Sequence, residues 1–210
     1  MRRIPGAASF SENEALDRVA TVRRQLRDRY AQEHGFNFDD GLRRVSSHAQ
    51  SPIEAMMALG LYYVMYSDMW FGGDGGVTYF ETRRTFTFDE IVGEEPSCEG
   101  IVVWPQATVG PYRADFVIRY ADWRGGCVFG AIECDGHDHH DLTKRQAQHD
   151  RQRDRHFQEL GLLILWYPGS EVWHDPLKSA VDALSILAKR AKLSTAPRWR
   201  DDPCIPSGSE

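Results

Sequence analysis

Apolar positions along the chain repeat with three different periods, and the changes of period mark out its elements. After Ser11-Glu12-Asn13-Glu14, which reads as a capping box, Leu16, Val19, Val22, Leu26 and Tyr30 recur at helical spacing until Gly35. They predict an amphipathic helix of about six turns. Its outer face carries Arg18, Arg23, Arg24, Arg27 and Arg29, a solvated face or one that touches phosphate. Residues 36 to 50 are polar and predict a connection. Ser51-Pro52-Ile53-Glu54 then supplies a cap, a first-turn proline and an acid at the third position, opening a helix over about 52 to 67 that is apolar nearly all round and therefore buried. A Gly72 to Gly76 loop followed by the alternating Val77-Thr78-Tyr79-Phe80 and Thr85-Phe86-Thr87-Phe88 predicts an inserted β-arm within 68 to 100. Strands are expected at about 101 to 108, 112 to 121 and 127 to 135, then a helix capped by Thr143 that stops at Gly161. Leu162 to Tyr167 reads as a short buried strand, and Asp175-Pro176 starts a last helix to about Leu193.

Composition narrows the class. With 210 residues and 41% hydrophobic content the chain supports one sizeable core. The expected division is an N-terminal helical extension over 1 to 50, a main domain over 51 to 193 and a loose tail over 194 to 210. No run of about 18 apolar residues occurs, and Met1-Arg2-Arg3 leads into Ile4-Pro5-Gly6 and polar residues, so no membrane partner and a cytoplasmic location are expected. Cys98, Cys127, Cys134 and Cys204 show neither C-x-x-C spacing nor scaffold density, which suits reduced thiols. A net charge of -6 rules out indiscriminate nucleic-acid binding through bulk charge; any such surface must be local.

The chemistry concentrates in residues 115 to 161. Side chains alternate along a strand, so in Ala131-Ile132-Glu133-Cys134-Asp135-Gly136 the two acids share one face and Cys134 takes the other. Two acids in a strand that otherwise reads as core need a cation or protonation. If Asp115 lies on the neighbouring strand, the oxygens form the ligand set that Mg²⁺ or Mn²⁺ prefers; the plainer alternative is three edge acids that never meet. In the following helix Ala147, Asp150, Asp154, Phe157 and Gly161 form one stripe, which turns both aspartates toward the core with Phe157 and Leu160. Pairing with Arg151, Arg153 or Arg155 as surface salt bridges is the competing account. Glu54 is explained by capping alone.

Taken in order, Ser51-Pro52-x-Glu54, Gln106, Gly110-Pro111-Tyr112-Arg113-Ala114-Asp115-Phe116, Ile132-Glu133-Cys134-Asp135-Gly136 with His140, Asp150-Arg151-x-Arg153-Asp154 and Leu160-Gly161 before an apolar strand resemble the PD-(D/E)XK nuclease superfamily. The likeness is greatest to its very-short-patch-repair-like endonuclease branch, and it covers about residues 51 to 175. It implies an α/β fold with a restriction-endonuclease-like core, a mixed central β-sheet flanked by helices, to which the N-terminal helix and the β-arm are added. By resemblance, Asp115 is the metal-binding aspartate, Glu133 the second acid and the backbone carbonyl of Cys134 a further ligand. Asp135 stands where most relatives have lysine, which removes the usual cation near the nucleophile; His140 or Lys144 is expected to substitute. Glu54 matches a first-helix glutamate that positions water. Gln106, Asp150, Arg151 and Asp154 are expected to support the site.

These residue types suit phosphodiester hydrolysis, which needs an attacking water and relief of charge on phosphate and leaving oxygen. The expected function is a metal-dependent DNA endonuclease in restriction, defence or repair, using Mg²⁺ or Mn²⁺, alone or as a homodimer or larger complex. Arg145, Arg153 and Arg155, with Arg151, are the expected nucleic-acid contacts. Two rivals are a non-catalytic nucleic-acid-binding or interaction module and an RNA-cleaving effector. A zinc site from Cys134, His137, His139 and His140 is disfavoured, since Cys134 points to the other strand face and no second ligand pair occurs.

Overall fold

The helix that is apolar on every side is the element around which the rest is arranged. In the computed structural model, which describes residues 11–34, 38–67, 77–82, 85–93, 99–122, 124–135 and 144–193, it is one of three helices that open the chain: α1 (Glu12–His34), α2 (Asp39–Ser46) and α3 (Pro52–Tyr66). The side chains of Asp135 and of residues 144–147 lie outside that description. Both expected caps form: Ser11 exchanges hydrogen bonds with Glu14, and Ser51 Oγ accepts the Glu54 N–H at 3.1 Å.

A five-stranded mixed sheet runs in sequence order: β1 (Val77–Phe80), β2 (Gly100–Val109), β3 (Tyr112–Ala121), β4 (Cys127–Asp135) and β5 (Leu163–Pro168). β2, β3 and β4 form an antiparallel meander, while β1 joins β2 and β5 joins β4 in parallel. The parallel step from β4 to β5 requires a crossover, supplied by α5 (Lys144–Glu159). The architecture is thus α/β, a mixed central sheet flanked by helices. On one face α3 and α7 (Pro176–Leu193) pack with Ile101, Val103, Phe116, Ile118 and Ile132; on the other, Phe157 of α5 and Phe88 and Ile91 of α4 (Phe88–Gly93) pack with Trp104, Val117 and Ala131. Covering both faces accounts for the near-continuous apolar runs of the inner strands.

α3 meets α7 at Gly60, where an added Cβ would lie 2.3 Å from the Pro176 carbonyl oxygen. That approach brings the two helix backbones together over the sheet. Gly110, with φ 59°, turns β2 into β3, a conformation that costs glycine little.

Several expectations need correction. Residues 36 to 50 are not merely a connection, because Asp39–Ser46 is helical and buries Leu42 and Val45, three apart, against the core. Phe38 anchors it by stacking on Tyr30 with ring centroids 3.9 Å apart. Val77–Phe80 belongs to the central sheet as its edge strand rather than to a separate arm, and Phe88 opens a helix instead of ending a strand. Thr87 caps that helix, bonding Glu90 in a second capping box within what looked like alternation. The short helix α6 (Gly169–His174) was not anticipated. The Gly72 to Gly76 loop and the tail over 194 to 210 lie outside the described residues.

Candidate functional site

The meander carries the candidate residues into one row. β2 and β3 pair Pro105 with Phe116 and Ala107 with Ala114, which sets Gln106 across from Asp115. The β3–β4 ladder ends at Phe116 with Ile132, and Asp115 and Glu133 each follow one residue past that last pair; Glu133 in turn pairs with Trp166 on β5. Both acids thus lie at the same end of the sheet.

Gln106 is the one non-glycine residue with positive φ, at 54°, among the described residues. This left-handed backbone breaks the strand alternation: Val102 and Trp104 before it and Ala107 and Val109 after it all join the same apolar cluster. Pro105 is tolerated beside it because the pairing of β1 ends at Val103. Such outliers concentrate where a side chain must be aimed. Here the aim is at Glu54, whose Oε2 accepts from Gln106 Nε2 at 2.7 Å and from the Gln50 N–H at 2.8 Å, with both residues of the side-chain pair buried. The second Gln106 amide atom, Oε1, is buried with no hydrogen-bond partner. Glu54 therefore caps α3 and also ties the N-terminus of that helix to the acidic row, which capping alone does not require.

Asp115 accepts the Cys134 N–H on Oδ2 at 2.7 Å. That bond locks its carboxylate to β4, one residue beyond Glu133. Burial raises its pKa to about 6; the Cys134 N–H works against this, the nearby Glu54 carboxylate adds to it, and the Arg153 and Arg113 guanidiniums lower it. Arg113 is exposed and donates to Gln50 Oε1 at 2.6 Å. Glu133, 5% exposed at its side chain, meets Arg153 with Nη1 to Oε2 at 3.1 Å. The guanidinium of Arg153 also lies over the Trp166 ring, 4.7 Å from its centroid.

The structure thus brings Glu54, Gln106, Asp115, Glu133, the backbone of Cys134 and Arg153 together. Cys134 packs toward the α3 side of the sheet, while Glu133 meets α5 on the other, as alternation requires. On α5, Asp150 and Asp154 are half-buried, Phe157 is fully buried, and Leu160 is 42% exposed, contrary to the expectation that it faces the core. Asp150 has His149 Nδ1 at 3.9 Å. Arg151 and Arg155 are exposed, with Arg155 Nε donating to the Arg151 carbonyl, and they remain available to a ligand. The side chains of Asp135, Lys144 and Arg145 lie outside the described residues, as do His137, His139 and His140.

Much of the arginine face on α1 is tied internally. Arg18 donates to the Trp173 carbonyl, Arg23 faces Asp39 at 3.6 Å, and Arg29 pairs with Glu33. Gln50, Arg113 and Trp166 were not singled out in the sequence. Only Arg113 carried a signal, two residues before Asp115 in the same strand.

Among the described residues no group of three or more His, Cys, Asp and Glu converges as a ready ligand set, and no helix is long and apolar enough to cross a membrane. The donors gathered at this end of the sheet, the carboxylates of Asp115 and Glu133 on adjacent strands and the Cys134 carbonyl next to Glu133, are all oxygen. Hard divalent cations prefer such a set. Burial disfavours the Asp115 carboxylate charge, and a cation beside it would favour that charge. No family model matches the chain, and no curated protein or solved structure is significantly similar to it.

Proposed function

We propose that this protein is a metal-dependent DNA endonuclease with a restriction-endonuclease-like core, hydrolysing phosphodiesters at the Asp115–Glu133 row. The observation that carries the reading is the placement of these two acids one residue past the last β3–β4 pair, with Asp115 bound to the Cys134 N–H and pushed toward neutrality by burial and Glu54. Apolar residues would fill such a position at lower cost if the acids had no ligand to hold.

Asp115, Glu133 and the Cys134 carbonyl would hold Mg²⁺ or Mn²⁺. A cation there supplies charge neutralisation on the phosphate and lowers the energy of the leaving oxygen. Glu54, held by Gln50 and Gln106, orients the attacking water and accepts its proton. The bond from water oxygen to phosphorus forms and the bond from phosphorus to the sugar oxygen breaks; that oxygen takes a proton from solvent, and Glu54 returns the one it accepted to solvent. Exposed Arg151 and Arg155 bind flanking phosphates, which position the strand without reading its sequence.

The test is nicking of supercoiled DNA in Mg²⁺ or Mn²⁺ by wild type, Asp115→Asn and Glu133→Gln, with single-stranded RNA offered in parallel. Cleavage of DNA by wild type alone supports the reading. Binding without cleavage under every divalent ion would favour an interaction module, and preferential loss of the RNA would favour an RNA-cleaving effector.

Glu54→Gln provides a second check. The amide oxygen still accepts from Gln50 and Gln106, so the fold persists, while cleavage falls by about 10- to 100-fold. Because Glu54 raises Asp115, the same variant moves the Asp115 titration down toward the ordinary range, measurable by NMR of the carboxyl carbon.

A further inference from the structure

We propose that Arg153 is the phosphate-gripping cation of this site, and that it reaches the phosphate by leaving Glu133. The inference rests on the endonuclease reading and gives Arg153, expected from the sequence only as a nucleic-acid contact, an exchange between Glu133 and phosphate. β4, Cys127–Asp135, contains no lysine, so the acid row has no cation of its own strand. Arg153 comes from α5 instead. Phe157, one turn later, is fully buried, and this fixes the helix so that Arg153 faces the sheet while Arg151 and Arg155 face solvent.

The guanidinium is held on two sides, by Glu133 at 3.1 Å and by the ring of Trp166 at 4.7 Å. Trp166 is the register partner of Glu133 on β5, so platform, acid and cation form one unit. The pair is mostly buried, with side-chain exposures of 16% and 5%. The Arg153 Nε–H is buried without an acceptor. A guanidinium has five N–H donors in a planar fork that matches phosphate oxygens, and an unused buried donor is one that a ligand can satisfy.

A divalent cation drawn to Glu133 competes with Arg153 for the same carboxylate. Once a cation takes Glu133, the Arg153 guanidinium leaves that carboxylate, stays over the Trp166 ring and turns its donors to the phosphate that arrives with the substrate. Arg153 therefore guards the acid when no metal is present and contacts the phosphate when metal is bound. No proton or bond moves in this exchange; only the partner of each charge changes.

Arg153→Met retains the length and the contact with Trp166 but removes the charge. In Mn²⁺ titrations by calorimetry the variant should bind the ion about tenfold more tightly, since a competitor and a repelling charge are gone. Its melting temperature without metal should fall, because buried Glu133 loses its ion pair with Arg153. Its DNA cleavage should fall by about 100-fold or more in saturating Mn²⁺. Tighter metal binding with slower cleavage is a combination that a purely structural role cannot give, since loss of structure weakens both. Arg153→Lys keeps a cation but loses the planar fork and the stacking on Trp166, so it should cleave more slowly than wild type and faster than Arg153→Met.

Unchanged Mn²⁺ affinity and cleavage in Arg153→Met would overturn the inference. If Arg153→Met fails to fold, Arg153→Lys decides: a folded lysine variant as inactive as Asp115→Asn rejects a phosphate-gripping role, and one that cleaves supports it. Wild-type protein that neither binds Mn²⁺ nor cleaves DNA would instead reject the endonuclease reading itself.

Discussion

Replacing Asp115 with Asn is expected to lower DNA cleavage by about a thousandfold and, at the same time, to make the metal-free protein more stable at pH 8. On the endonuclease reading the first effect is loss of a charged metal ligand, a matter of about 4 kcal/mol in the barrier. The second follows from the sign of its pKa shift. A carboxyl whose folded value, about 6, lies above its ordinary 3.8 is easier to ionise in the unfolded chain. The penalty is absent below about pH 4, grows as pH rises through 6 and stays constant above. The difference sets a ceiling of about 3 kcal/mol at 1.4 kcal/mol for each pH unit, reduced to about 2 kcal/mol because Asp115 keeps some contact with water. Asn keeps an oxygen for the Cys134 N–H and carries no charge. Its melting temperature should exceed that of wild type by about 5 °C at pH 8, with the two converging near pH 4. Thermal melts of metal-free protein across that range check both the size and the sign; a variant destabilised at pH 8 would show that Asp115 serves the fold and not a ligand.

Gly60→Val is expected to be the most disruptive substitution outside the acid row. Its Cβ would meet the Pro176 carbonyl oxygen at 2.3 Å and the Ala180 Cβ at 3.2 Å, so α3 and α7 must separate. Overpacking of this kind costs about 3 kcal/mol, or about 10 °C in melting temperature for a chain of this size. Since α3 carries Glu54, its displacement also loosens the contact with Gln106, and cleavage should fall even at temperatures where the variant is folded. Urea denaturation monitored by far-UV circular dichroism, beside cleavage at 20 °C, separates the two effects. Wild-type stability in Gly60→Val would contradict the close helix contact.

How much of this was legible beforehand depended on the range of the interaction. The caps at Ser11 and Ser51, the three antiparallel strands and the helix ending at Gly161 follow from periods and turn residues only a few positions apart, and they stand within one or two residues of where the pattern puts them. α2 was missed because only Leu42 and Val45 in eight residues face the core, too few to make a period, and its position is set by the stacking of Phe38 on Tyr30. The Val77–Phe80 segment alternates like a ribbon, yet its parallel partner lies more than twenty residues away, and no local feature names that partner. In the site, the acids were visible as polar residues out of place in core strands. The pairing of Glu133 with Arg153 and the aim of Gln106 at Glu54 join elements far apart in the chain, and one depends on a positive φ that glutamine seldom adopts.

The most direct test is a crystal of the metal-free protein soaked in Mn²⁺, with the ion located from its anomalous signal. The account predicts one peak between β3 and β4, with oxygens of Asp115 and Glu133 both within about 2.3 Å of it and the Arg153 guanidinium withdrawn from Glu133. Asp115 and Glu133 without an ion between them at saturating Mn²⁺, and Arg153 still paired to Glu133, would contradict it.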